Sequence, residues 1–162
     1  SKSETFGDDL TCVAVRIEER EIPLAHRELE ISSDLRELAR ARAFVRDFCQ
    51  TVPGAAIDEE RVSQLELAIT EAASNVMRHA YHGRTDQQIQ LQAKVFADRI
   101  TFRLHHLGDA FDPNSVKVPS FDGSEDGGFG VYIIRQSVDD VRYGRDERGR
   151  NCITLTMMRP TA

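Results

Sequence analysis

The order of the elements predicted from the sequence indicates an α+β fold. We expect a two-layer α/β sandwich with a mixed, mostly antiparallel sheet and helices on one face. Segments with alternating apolar residues come in pairs that short polar turns join, which is typical of antiparallel hairpins. Two segments with a helical apolar period follow one another before the first pair and a third lies between the two pairs, so the helices do not alternate with single strands. The length of 162 residues fits one domain with a substantial core.

The first elements are a short strand and a helix. Leu29 and Ile31 alternate with charged residues, which predicts a strand. Ser33 or Asp34 can cap the helix that follows. "TVPG" ends this helix, because proline and glycine interrupt the pattern. Its apolar positions recur at steps of three and four: Leu35, Leu38, Ala41, Val45, Phe48 and Cys49.

The second helix has clear start and stop signals. Asp58 is the candidate cap, and Glu59 and Glu60 suit the positive end of the helix. Gly83 is the predicted stop. The apolar stripe that we expect to be buried consists of Val62, Leu65, Ile69, Ala72, Val76 and Ala80.

Two hairpins and one more helix complete the chain. Residues 89–95 and 100–104 alternate on either side of the turn "ADR", which predicts the first hairpin. A third helix is expected over residues 131–138. The second hairpin turns at "DERG", between residues 141–143 and 153–157.

Composition narrows the function classes. The net charge of −6 argues against direct nucleic-acid binding, and no apolar run is long enough for a membrane span. The three cysteines, Cys12, Cys49 and Cys152, are far apart and lack the spacing of a metal site. We therefore expect reduced cysteines in a cytoplasmic protein that does not bind membranes.

Glu71, Asn75 and His79 follow one another at steps of four along the second helix. They share one edge beside the apolar stripe, at the rim of the core. A solvated helix edge would explain this pattern. Glu71 could instead remove a proton from a hydroxyl group, and Asn75 could offer a neutral oxygen to Mg²⁺. His79, taken alone, is expected to be a packed, hydrogen-bonded histidine.

The segment of residues 108–130 contains five of the ten glycines and ends in "GGFG" before a helix. Such a long irregular stretch is usually functional or disordered. A glycine-rich turn at a helix start, here with Gly127, Gly128 and Gly130, is suited to anions, although it also occurs in ordinary turns. Gly108, before "FDP", is consistent with a simple strand end.

Three motifs in this order resemble the Bergerat-type (GHKL, histidine-kinase-like) ATPases. The motifs are "EAASNVMRHAY", "FDP" and "GGFGVYIIRQSVDDVRY", and the resemblance spans about residues 28–158. Within that superfamily the chain is most similar to bacterial anti-sigma factor serine/threonine kinases.

This resemblance implies ATP and Mg²⁺ as cofactors and assigns roles to individual residues. Glu71 matches the catalytic base and Asn75 the Mg²⁺ ligand, while residues 114–126 match the lid over the nucleotide. The remaining residues expected to contact the nucleotide are His79, His106, Gly108, Phe111, Gly127, Gly128, Phe129 and Gly130, with Gly108 beneath the adenine and Gly127, Gly128 and Gly130 beside the phosphates.

The sequence departs from that family in two places. His106 stands where the family has an aspartate that accepts a hydrogen bond from the adenine amino group, and "RNC" replaces a Gly-Thr pair at the last strand. Loss of a charged acceptor costs about 1.5–3 kcal/mol. That is roughly a ten- to hundredfold loss in affinity.

The start of the chain suggests a second domain. "GDDLTCVAVRI", residues 7–17, is similar to the last strand of PP2C-type metal-dependent phosphatases, although an ordinary acidic turn and strand would also explain it. We therefore expect residues 1–22 to be the remnant and linker of a preceding phosphatase domain, and residues 23–162 to be the kinase domain.

The main hypothesis is an ATP-dependent serine/threonine kinase of a partner-switching pathway. Its phosphoacceptor would be an anti-sigma factor antagonist (a STAS-type protein), with a sigma or anti-sigma factor as a further partner, and the chain would form a homodimer. The alternative is an inactive module that sequesters a sigma factor or an antagonist, which His106 favours. The ATP-binding half of a histidine kinase is a third interpretation, which the hydroxyl-directed base Glu71 disfavours.

Overall fold

The structure is a computed structural model, and it describes residues 21–112 and 129–160. The five strands are β1 (Ala25–Ser32), β2 (Gln88–Val95), β3 (Arg99–His106), β4 (Asp140–Arg145) and β5 (Asn151–Met158). The helices are α1 (Leu38–Thr51), α2 (Glu59–Asn75) and α3 (Phe129–Ser137). A 3-10 turn, Leu35–Glu37, precedes α1, and a π-helical turn, Val76–Ala80, follows α2.

The strands form one sheet in the order β1-β2-β3-β5-β4. All four pairings among the described strands are antiparallel, so this part of the sheet is not mixed. Both predicted hairpins are present, as β2–β3 and β4–β5. The predicted α+β sandwich is confirmed.

One face of the sheet is apolar and carries the helices. The strand register places Leu91 opposite Leu104 and Ala93 opposite Phe102, and all four are buried. Phe48 of α1 meets the ring of Phe102 edge to face, with ring centroids 5.7 Å apart. Helix α2 lies between α1 and α3 and contacts both. The core therefore lies between the helices and this face, as the period-two pattern of β2 and β3 predicts.

The predicted caps hold the starts of the helical segments. The Asp58 side chain accepts a hydrogen bond from the Arg61 backbone N–H at 2.8 Å. Asp34, rather than Ser33, caps the first helical segment by accepting from the Arg36 N–H at 2.9 Å. These bonds satisfy N–H groups that have no partner within the helix.

The end of the second helix differs from the prediction of one regular helix up to Gly83. The α-helix ends at Asn75, and a wider π-helical turn continues to Ala80. Gly83 then terminates the segment with φ of 78°, and its N–H donates to the Met77 carbonyl at 2.9 Å. Single π-turns within helices are uncommon and occur frequently at functional sites.

Candidate functional site

Glu71 and Asn75 lie one turn apart on α2, at the rim of the core as predicted. Both side chains are half-buried, whereas the neighbouring Ala72 and Val76 are fully buried. Neither Glu71 nor Asn75 forms a hydrogen bond or ion pair with another residue in the part of the chain that the structure describes. Their polar atoms are therefore available to a ligand on this side of α2.

Gly130, at the start of α3, approaches both side chains closely. A Cβ atom added to Gly130 would lie 3.0 Å from Glu71 Oε2 and 3.3 Å from Asn75 Oδ1 and Nδ2. Any side chain at this position would therefore press on both polar groups. The fold brings three predicted site residues together at one point, although Gly130 is far from the other two in sequence.

Gly108 lies where β3 ends against the π-helical turn. A Cβ atom there would be 2.6 Å from the Ala80 carbonyl oxygen, which is too close for any side chain. The N–H of Asp109 donates to the same oxygen at 3.0 Å, and Asn151 Nδ2 donates to the Gly108 carbonyl at 2.8 Å. The glycine is required because two backbone segments meet here.

Tyr81 stabilises the same junction through hydrogen bonds, and the sequence analysis did not identify this residue. Its buried hydroxyl donates to the Gln88 carbonyl at 2.7 Å and accepts from the Leu107 N–H at 2.8 Å. The hydroxyl therefore joins the end of the helical segment to the start of β2 and the end of β3. A signal was available in the sequence, since the tyrosine directly follows an apolar stripe and needs a polar partner when buried.

A cleft opens beside these residues. Two cavities of about 80 and 530 Å³ share the lining residues His106, Ala110, Phe111, Tyr143 and Ile153. The smaller cavity also reaches Asn75. The ring of Phe111 packs against that of Tyr143 with centroids 5.3 Å apart. The smaller cavity is thus largely apolar, whereas Asp112, Arg135, Arg145 and Asn151 also line the larger one.

His106 is almost completely buried at 3% exposure. Its Nδ1 accepts a hydrogen bond from the Gly108 N–H at 3.2 Å, and its ring meets Tyr81 edge to face at 5.9 Å. Burial, and to a lesser degree the neighbouring His105, lowers the pKa of His106 to about 4. The imidazole is therefore neutral near pH 7.

The other predicted residues have different placements. His79 is exposed on the smaller cavity, so the expectation of a packed histidine is wrong. The residue lies within the π-helical turn. Phe129 is the first residue of α3. Gly127, Gly128 and the predicted lid, residues 114–126, lie outside the described residues.

The donor set at the α2–α3 junction fits Mg²⁺. Mg²⁺ prefers oxygen ligands and usually takes only one or two from the protein, with the rest from water and phosphate. Asn75 Oδ1 is such an oxygen, and it lies next to Gly130. Within residues 21–112 and 129–160 there is no cluster of three His, Cys, Asp or Glu side chains that would suit a transition metal instead.

The helix-free face of the sheet carries a separate polar network. Asp146 accepts from His105 Nδ1 and from Arg150 Nε, each at 2.8 Å. Burial acts to raise the pKa of Asp146, but hydrogen bonds from Arg150, His105 and Arg148 outweigh it and bring the pKa to about 2. The network anchors the β4–β5 hairpin and lies on the face opposite to α2.

The described cysteines agree with the expectation of reduced thiols. Cys49 and Cys152 are buried and free, and burial raises the pKa of the Cys49 thiol to about 11. A thiol with so high a pKa is a poor nucleophile near neutral pH. Cys12 lies outside the described residues.

Comparison with known families identifies the fold. The family model of the "Histidine kinase-like ATPase domain" matches residues 31–157, which is most of the chain. The chain belongs to this family. The match includes Glu71, Asn75, Gly108 and Gly130, and it confirms the resemblance inferred from the three motifs.

Several curated relatives of this ATPase domain share one name. The chain is 30% identical over 96 residues to "Serine-protein kinase RsbW" of Listeria monocytogenes, covering 54% of this chain and 61% of the relative. It is 29% identical over 91 residues to the protein of the same name from Bacillus subtilis, covering 51% and 57%. The match thus spans about three fifths of the length of these relatives.

A solved structure is also similar. The histidine kinase domain of the Escherichia coli osmosensor EnvZ matches with a TM-score of 0.44 and 18% identity, covering 88% of this chain and 93% of that domain.

Among the described residues, no helix combines the length and the apolar character that crossing a membrane requires.

Proposed function

We propose that this chain is an ATP-dependent protein serine/threonine kinase domain. It would transfer the γ-phosphoryl group of ATP to a hydroxyl group on an anti-sigma factor antagonist of the STAS type, and thereby control the availability of a sigma factor. The observation that carries the proposal is the meeting of Glu71, Asn75 and Gly130 beside an apolar cleft. The similarity to relatives named serine-protein kinases supports a serine hydroxyl as the acceptor group.

Each residue would have a distinct part. The cleft would hold the adenine ring of ATP against Phe111 and Ile153. The absence of a side chain at Gly130 would leave space for the phosphates next to α2. Glu71, which has no partner among the described residues, would take the proton from the acceptor hydroxyl. Asn75 would hold Mg²⁺, which supplies positive charge to neutralise the phosphates. Phosphoryl transfer needs mainly positioning and charge stabilisation, and these groups would provide both.

The test is transfer of label from γ-labelled Mg·ATP to a candidate antagonist. We expect Glu71→Gln to bind ATP with unchanged affinity but to lose about two to four orders of magnitude in transfer rate, the usual contribution of a general base. Glu60→Gln is the matched control, because Glu60 is exposed on the same helix. Equal loss in both variants, or no loss in Glu71→Gln, would contradict the assignment.

Asn75→Ala tests the binding half of the proposal. We expect it to abolish the Mg²⁺-dependent part of ATP binding, measured as a thermal shift in millimolar Mg·ATP with and without chelator. The absence of any nucleotide-dependent shift in the unsubstituted protein would refute the kinase proposal.

A second candidate function is a module that binds a sigma factor or an antagonist without transferring phosphate. His106 favours it, because a neutral imidazole replaces the carboxylate expected beside adenine and already uses one nitrogen for Gly108. Capture of the antagonist without any label transfer would support this function over the kinase.

A further inference from the structure

The backbone N–H of Gly108, two residues further along the chain, determines which nitrogen of the His106 ring is a hydrogen-bond donor. The Gly108 N–H donates to Nδ1 of the His106 ring at 3.2 Å. A ring nitrogen that accepts a hydrogen bond carries no proton, so a neutral imidazole must carry its proton on the other nitrogen. Nε2 of His106 is therefore an N–H donor. The neutral form holds near pH 7, because burial and the neighbouring His105 lower the pKa to about 4.

This N–H donor has no partner in the described part of the chain. No hydrogen bond joins His106 Nε2 to any described residue. Within residues 21–112 and 129–160, the fully enclosed side-chain atoms without a partner are Ser74 Oγ and Arg99 Nε, so His106 Nε2 is not fully enclosed. Since His106 lines both cavities and Nε2 is not fully enclosed, we take the Nε2–H group to face the cleft.

The smaller cavity beside this donor is largely apolar, with Asn75, His79 and Asp109 as the polar residues in its lining besides His106 and Tyr143. Ala72, Val76, Ile134 and Ile153 line the cavity with His106, and Phe111 closes it. A flat ring that fills this space would exclude water from the Nε2–H group. A buried donor without an acceptor is unfavourable, so the edge of the ring that faces His106 must offer an acceptor.

We propose that the cleft recognises a purine through a hydrogen-bond acceptor and takes 6-oxopurine nucleotides at least as well as ATP. This proposal rests on the proposed function, since it requires a nucleotide in the cleft. Hypoxanthine and guanine carry a carbonyl oxygen at position 6, which accepts the N–H of His106. Adenine carries an amino group there, which presents protons to a donor. Adenine can meet His106 only through a ring nitrogen, so ATP still binds but without recognition of its amino group.

Calorimetric titration with Mg·ATP and Mg·ITP at pH 7.5 tests the proposal, because the two bases differ at position 6 and in the protonation of N1. We expect ITP to bind at least as tightly as ATP, with any advantage of ATP below about threefold. An advantage of ATP above threefold overturns the proposal and leaves the proposed function standing. If neither nucleotide binds, both are overturned.

Substitution of His106 shows whether this residue is responsible. His106→Asp replaces the donor by a carboxylate acceptor, and we expect ATP to bind about tenfold more tightly than ITP, as polar discrimination in a buried site allows. His106→Phe keeps a ring, tolerates burial if the carboxylate variant fails to fold, and should weaken ITP binding about tenfold. His26→Asn is the control, since His26 is exposed on β1 away from the cleft. An unchanged ratio of ATP to ITP affinity in the folded His106 variants overturns the proposal.

Discussion

Replacing Gly108 by alanine tests the contact between β3 and the π-helical turn. The new Cβ would lie 2.6 Å from the Ala80 carbonyl oxygen, 2.8 Å from its carbon and 2.9 Å from its Cβ. Ordinary contacts begin at 3.4 Å, so the two backbone segments would have to separate by about 0.8 Å. Unlike the end of a long side chain, backbone cannot rotate away.

The expected cost can be worked from two terms. Overpacking of this kind costs about 1–3 kcal/mol. The separation also weakens the bond from the Asp109 N–H to the Ala80 carbonyl, now 3.0 Å long, which contributes about 1 kcal/mol. The backbone of Gly108 does not have positive φ, so alanine recovers up to about 1 kcal/mol by restricting the unfolded chain. We expect a net loss of about 2–3 kcal/mol in the free energy of unfolding.

Urea denaturation with thermal melts measures this loss. For a chain of this size a loss of 2–3 kcal/mol lowers the melting temperature by about 4–12 °C. Gly144→Ala is the matched control, because Gly144 lies in β4 with no atom within 4 Å of the added Cβ. It should be neutral or slightly stabilising. If Gly108→Ala is as stable as Gly144→Ala, the reasoning about this contact is refuted.

Three further predictions concern the site and its supports. Gly130→Ala should change the free energy of unfolding by less than about 1 kcal/mol, because the nearest atoms to the added Cβ are the side-chain ends of Glu71 and Asn75. It should weaken Mg·ATP binding at least about tenfold in calorimetry. Unchanged affinity would contradict a role for the contact of Gly130 with Glu71 and Asn75 in binding. Tyr81→Phe leaves two backbone partners of a buried hydroxyl unpaired and should cost about 1–3 kcal/mol in urea denaturation, and a loss below about 0.5 kcal/mol would argue against both bonds. The pKa of His106 is lowered to about 4, so between pH 6.5 and 4 the unfolded chain binds a proton at this residue and the native chain does not. The free energy of unfolding should therefore fall by up to about 3 kcal/mol as the pH drops from about 6.5 to 4. His106→Phe should flatten this part of the stability profile. An equally steep profile in that variant would show that other groups cause it.

Much of the fold follows from short-range patterns. The apolar period of α2, its cap Asp58 and the alternation in β2 and β3 each involve residues a few positions apart, so local sterics and hydrogen bonding are enough to predict them. The stop at Gly83 was also predicted, although the π-helical turn before it was not. That turn contacts the residues after β3 through the bond from the Asp109 N–H to the Ala80 carbonyl, a contact for which the local sequence has no signal.

The candidate site also has features that the sequence predicts and features that depend on tertiary packing. Its residue types and their order along the chain came from the sequence, including Glu71 and Asn75 on one helix edge. The sequence alone could equally describe a solvated edge. The approach of Gly130 to both side chains supports the proposal of a site, and it arises only when α3 packs against α2.

By itself, the sequence determined the elements, their caps and the family, because these depend on residue identity and local spacing. Only the tertiary structure decided which groups meet. It placed the Ala80 carbonyl against Gly108 and brought the Leu107 N–H to the Tyr81 hydroxyl. Each of these outcomes depends on distances between segments far apart in the chain, which close packing of the core sets.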